Sequence, residues 1–81
     1  MKRLLVLGAG LVSPPLIRYF LPRRDVAVVV ASLDFSRIER LVEGHRGRVD
    51  LVATDVNDPA AVGKLVSESD AVVSLLPAHL L

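Results

Sequence analysis

Residues 4–20 read LLVLGAGLVSPPLIRYF, Leu4 to Phe20. An apolar run enters Gly8-Ala9-Gly10, and a segment with Leu16, Ile17 and Phe20 on one face at helical spacing follows. A strand that turns through glycines into a helix leaves the first helical N–H groups without acceptors, at the positive end of the helix dipole. That combination suits a phosphate. Gly8 allows the tight turn, and Gly10 lets a pyrophosphate approach the backbone with no Cβ in the way. The third fingerprint position, here Ser13, needs a small residue so that helix and strand pack closely. A structural turn without a ligand is the other reading. Two prolines must also be placed. If Ser13 is the N-cap, Pro14 and Pro15 fill the first two helical positions, where a missing N–H costs little. The phosphate donors would then be the N–H groups of Gly10, Leu11 and Val12, and the helix is expected to start late or irregularly.

Outward from this turn the chain alternates. Arg3–Leu7 reads as a buried strand, and the helix that opens at Leu11 or Ser13 runs to about Leu21. The PRRD stretch from Pro22 to Asp25 ends it. Val26–Ser32, VAVVVAS, is the most strand-like run, being almost wholly β-branched. In DFSRIERLVEGH, residues Ile38, Leu41 and Val42 make the apolar stripe of a second helix, which Gly44 or Gly47 can end. Val49–Thr54 is a third strand. Asp58 is a natural N-cap with Pro59 at the first helical position, and Val62, Leu65 and Val66 make the buried stripe of a third helix. DAVVSLL is a fourth strand, stopped by Pro77. The order β-α-β-α-β-α-β with short joints implies right-handed crossovers and a parallel sheet. The expected fold class is α/β, a Rossmann-like sheet cut after its fourth strand, with strand order 3-2-1-4. Residues 1–81 form one domain in this reading, the N-terminal part of a larger unit. The fourth strand is left as an apolar edge, which invites pairing with a second copy of the chain.

Composition agrees with that class. Hydrophobic residues make up 52% and aromatics 4% of the 81 residues, so the core is aliphatic, as in a sheet covered on both faces. The mean hydropathy is +0.50. The net charge of +1 comes from interspersed acids and bases, which gives no basic patch for nucleic acid. There is no cysteine, hence no disulfide framework and no thiolate metal site. No apolar run approaches the roughly 20 residues of a membrane span. MKRLLVLGAG has a basic start, but its apolar run is short and ends in a glycine turn, so it does not read as a signal peptide. A cytoplasmic protein is the expectation.

In a sheet of this type the ribose of the adenosine half is read after the second strand, where an acid selects NAD and an arginine accommodates NADP. Ser32 and Asp34 stand there. Asp34 can accept from a 2′-hydroxyl, or it can cap the next helix. Ser36 and Arg37 are close enough in sequence to meet a 2′-phosphate. These residues leave NAD or NADP open.

Three further stretches complete a pattern: VVASLD, LVATDVND and AVVSLLPAH. With the glycine turn they make the chain resemble the N-terminal nucleotide domain of the saccharopine dehydrogenase and saccharopine reductase family. The form found in the bifunctional lysine-ketoglutarate reductase/saccharopine dehydrogenase enzymes is the nearest. Gly8, Gly10, Val12, Ser13 and Pro15 match its glycine-and-proline turn. Asp55, Val56 and Asp58 match its D-V-x-D segment, and Ser74, Leu75, Leu76 and Pro77 its S-L-L-P segment. The resemblance implies that Gly8, Gly10, Leu11 and Val12 hold the pyrophosphate and that Ser32 and Asp34 flank the adenosine ribose. It places Asp55 and Val56 at the adenine, with Leu75, Leu76 and Pro77 toward the nicotinamide. NADP-using members often carry Arg directly after the Ser-like residue of the second strand. Leu33 stands at that position, which tilts the expectation slightly toward NAD. The implied chemistry is hydride transfer at the secondary amine of saccharopine, in lysine metabolism. The family's substrate domain is absent from these 81 residues, so the chain alone is expected to bind cofactor without turnover.

Other residues invite chemistry less well. His79 follows the S-L-L-P segment and reads as solvated, and His45 sits in a helix-end turn. Asp55 and Asp58 read as a pocket residue and a cap rather than a metal pair. Two different functions remain as alternatives: a nucleotide-sensing regulatory module, and a fragment that oligomerises and binds nothing.

Overall fold

A computed structural model of the chain describes residues 2–10, 12–45 and 47–75. Leu11, Leu76, Pro77 and His79 therefore lie outside the described residues. The elements are β1 (Lys2–Leu7), α1 (Ser13–Phe20), β2 (Val26–Ser32), α2 (Glu39–Val42), β3 (Val49–Ala53), α3 (Pro59–Ser67) and β4 (Ala71–Ser74). All four strands are parallel, as the alternation implies, and lie in the order β3-β2-β1-β4 expected of the Rossmann-like sheet. β1 is central: Val6 sits opposite Val30 on one side and Val73 on the other. The β1–β4 pairing extends at both ends. The Arg3 N–H donates to Asp70 Oδ2 at 2.8 Å, and the Leu75 N–H to the Leu7 carbonyl at 2.8 Å.

Alternate residues of each strand serve opposite faces of the sheet. Leu4, Val6, Val28, Val30 and Val49 pack with Ile17 of α1 and with Ile38 and Val42 to form the main core. Burying a side chain of this size contributes about 1.5–3 kcal/mol. On the other face, among the described residues, Leu5, Leu7 and Ala31 form the buried cluster, with Val62 and Leu65 of α3 against them.

Three local expectations change. Ser13 is not the N-cap: Val12 is, in helical conformation and without a side-chain cap hydrogen bond, and Ser13 begins the helix. Its side chain is fully buried and donates to the Gly10 carbonyl at 2.6 Å, so it cannot cap the amides ahead of it. The second helix shrinks to four residues. Turn bonds from Ile38 and Glu39 to the Phe35 carbonyl precede it, and Glu43 (ψ 128°) leaves the helix directly. Val66 is 41% exposed rather than buried, because the small second-face cluster is reached by Val62 and Leu65 and extends no further round α3. Asp58 caps α3 as the sequence implies, its Oδ1 accepting from the N–H groups of Ala60 (3.1 Å) and Ala61 (3.3 Å).

One residue ties the amino-terminal edge of the sheet together. The Arg48 guanidinium donates to the Arg23 carbonyl at 2.9 Å and to the Leu21 carbonyl, clamping the loop after α1 to the start of β3.

Candidate nucleotide site

Parallel sheets of this type bind ligands outside the carboxyl ends of their strands. At that edge Gly8, Ser32, Leu33, Asp34, Thr54, Asp55, Val56 and Asn57 line an open cleft of about 240 Å³. Five of the residues singled out from sequence therefore share one concavity: Gly8, Ser32, Asp34, Asp55 and Val56. Gly10 and Val12 stand at the turn that follows Gly8, and Leu75 follows the end of β4. A larger concavity of about 680 Å³, lined by Leu21, Pro22, Arg24, His45 and Arg48, lies at the opposite edge, at the amino ends of the strands. Volume alone would favour it, but the topology favours the smaller cleft.

The glycines differ in why they are glycine. Gly8 has φ +97°, a conformation that side chains disfavour, and its N–H donates to the Ala31 carbonyl at 2.8 Å, holding the turn to the end of β2. Gly10 has no positive φ, and a Cβ built on it meets nothing within 4 Å. The protein's own packing therefore does not require glycine there. Open space against the backbone remains at the glycine turn ahead of α1, whose first turn holds no acid; its donors lie in the turn itself, since the Ser13 N–H is bonded to the Gly10 carbonyl and Pro14 and Pro15 have no N–H. The chemistry of this cradle fits an anion such as a pyrophosphate.

At the end of β2 the Ser32 hydroxyl donates to the Asp34 carbonyl (3.2 Å) and accepts the Asp34 N–H (3.3 Å). Asp34 Oδ1 accepts the Ser36 N–H at 2.9 Å. Asp34 is thus a turn residue and not the cap of α2, whose N-cap is Ile38. The Ser36 backbone N–H and then its hydroxyl hold the Asp34 carboxyl below the ordinary aspartate value, against a little desolvation, with Arg37 adding to the effect. After β3 the Thr54 N–H donates to the Ser32 carbonyl at 2.9 Å, which locks the two strand ends together. Asp55 Oδ1 accepts the Asn57 N–H at 2.9 Å, and Asp58 is occupied as a cap.

Leu33, Thr54 and Asn57 were not among the candidates. Thr54 and Asn57 flank the D-V pair that was. Leu33 is 72% exposed, an apolar side chain standing open at the cleft. Its place between Ser32 and Asp34 was the available signal.

Strand order, glycine turn and cleft define the class: a dinucleotide-binding α/β domain of the Rossmann type. The model of the saccharopine dehydrogenase NADP binding domain matches residues 4–80, and the chain belongs to that family. It is 38% identical over 77 residues to saccharopine dehydrogenase [NADP(+), L-glutamate-forming] of Schizosaccharomyces pombe, covering 95% of this chain and 17% of that protein. It is 35% identical over 77 residues to the mitochondrial alpha-aminoadipic semialdehyde synthase of Bos taurus, covering 94% of this chain and 8% of that protein. Among solved structures it is similar to apo saccharopine dehydrogenase (L-Glu forming) from Saccharomyces cerevisiae. That likeness has a TM-score of 0.81 at 30% identity and covers 99% of this chain and 18% of the other. The chain thus spans less than a fifth of the length of these relatives. The family description names NADP, against the slight tilt toward NAD drawn from Leu33.

Proposed function

We propose that this chain is the cofactor-holding portion of an NADP-dependent oxidoreductase that transfers hydride at the secondary amine of saccharopine. Gly8, Gly10, Leu11 and Val12 take the pyrophosphate, and Ser32 and Asp34 border the adenosine ribose. Asp55 and Val56, with Leu33, offer surface to the adenine. Leu75, Leu76 and Pro77 are assigned to the nicotinamide side by family resemblance. The bound cofactor supplies the hydride chemistry, while these residues bind and orient it. Turnover requires groups outside these 81 residues, so the chain alone binds cofactor without catalysis. The observation that carries the reading is Gly10: a glycine with no positive φ and empty space where a Cβ would stand.

Titration calorimetry with NADPH tests it. Gly10→Ala should weaken binding tenfold or more and leave the melting temperature within a degree or two, because the added Cβ meets no protein atom within 4 Å. Unchanged NADPH affinity in the folded variant would remove the phosphate role of the turn. The partner reading extends to self-association: the edge strand β4, with Val72 43% exposed, is proposed as the contact of a homodimer.

A further inference from the structure

The concavity of about 680 Å³ at the amino ends of the strands is lined by Leu21, Pro22, Arg24, His45 and Arg48. Among the described residues no carboxylate lines it, although Asp25 and Glu43 are close in sequence. Arg48 is its fixed member. The residue is half-buried, and the Leu21 and Arg23 carbonyls hold its guanidinium in place. Those bonds leave the other N–H groups of the guanidinium unspent. Arg24 and His45 are exposed, and among the described residues neither side chain has a hydrogen-bond or ion-pair partner. A cation taken partly out of water with no acid beside it costs free energy, and a second cation at the same hollow adds to that cost. A concave wall carrying charge of one sign also concentrates the field, which draws in an ion of the other sign.

We propose that this concavity is a second ligand site, for a small organic oxyanion that carries more than one carboxylate or phosphate group. Arg48 and Arg24 grip the anionic groups, and the His45 ring is a further polar contact. A guanidinium presents paired N–H donors that match the oxygens of either group, and one of the pair here is already oriented by the protein. The volume is that of a small-molecule pocket and is more than a bare inorganic ion fills. Leu21 and Pro22 give a carbon skeleton an apolar wall. The site lies at the opposite edge of the sheet from the glycine turn. Its ligand therefore leaves the nucleotide cleft open, and the inference stands whether or not that cleft takes a dinucleotide.

Citrate and fructose 1,6-bisphosphate are the probes, titrated into the isotope-labelled chain at constant ionic strength, with sodium chloride as the matched control. At least one of them should give saturable shifts of the Arg24 and Arg48 guanidinium and His45 ring resonances. Arg24→Gln should weaken that binding about tenfold. It removes an exposed side chain with no described partner, so the variant keeps its fold. A response to citrate alone assigns the site to carboxylates, a response to the bisphosphate alone assigns it to phosphates, and either supports the proposal. Shifts that sodium chloride reproduces, or that grow without saturating, overturn it. So does an Arg24→Gln chain that binds with unchanged affinity, or no response to either probe. Saturable shifts confined to the Gly8 and Gly10 amides overturn it as well, while supporting the glycine turn as an anion site.

Discussion

Ser13 is fully buried, with its hydroxyl on the Gly10 carbonyl. It keeps α1 close to the sheet and pins the glycine turn from within. Ser13→Val adds volume where there is no room and removes the bond. Denaturant unfolding should show a loss of about 1–3 kcal/mol. Asp34 is the one described group with a resolved titration shift, and the shift is downward. A carboxyl whose folded value is depressed stabilises the fold above its ordinary value and loses that contribution as pH falls through the folded value. Unfolding measured across the acid range should therefore show a small stabilising contribution in the parent chain that is missing in Asp34→Asn. Equal pH profiles for the two would contradict the shift. At this scale the sequence was legible where chemistry depends on residue type and offset, as at the Gly8 turn and the Asp58 cap. It was not legible where a side chain's partner is tertiary. Nothing local says that Ser13 turns inward to a carbonyl instead of capping the helix.

Among the elements, the strands were read most securely. VAVVVAS can hardly be anything else, and a continuous apolar run is what a strand buried on both faces requires. Strand order followed from the fold class that the glycine turn indicates, since alternation alone also fits other orders. Helix extent was less readable. Ile38 and Val42 are buried as their spacing implies, yet the backbone around them is turns and four helical residues, because burial fixes side chains without requiring a long helix. Arg48 was not visible at all. Its acceptors, the Leu21 and Arg23 carbonyls, are 27 and 25 residues away, and the sequence showed only an arginine before a strand. Arg48→Ala should lower stability by about 1–2 kcal/mol, in line with two charge-assisted bonds that are partly in water. Hydrogen exchange should quicken first in the 21–26 loop and at the start of β3. Uniform quickening over the whole chain would deny the clamp.

At the scale of the whole fold the two faces of the sheet are unequal: among the described residues, eight buried side chains make the main core and three the other. β4 stands at an edge with Val72 exposed on the thinner side. If β4 is the self-association contact, sedimentation should show weight-average mass rising with concentration, and Val72→Lys should hold the chain monomeric, since a lysine on an edge strand blocks further pairing. A parent chain that stays monomeric throughout would dismiss the homodimer. The nucleotide cleft has a different dependence on the whole. Its walls come from Gly8, Ser32–Asp34 and Thr54–Asn57, three segments joined only by the closed β3-β2-β1 ladder, with Gly8 bonded to Ala31 and Thr54 to Ser32. An unfolded chain has no version of this surface, so a ligand that occupies it draws the population toward the native state by mass action. At a hundredfold excess over its dissociation constant it would add about 2.7 kcal/mol, a large share of what a domain this small holds by itself. The cofactor is then also a folding partner, and the melting temperature becomes a gauge of its concentration.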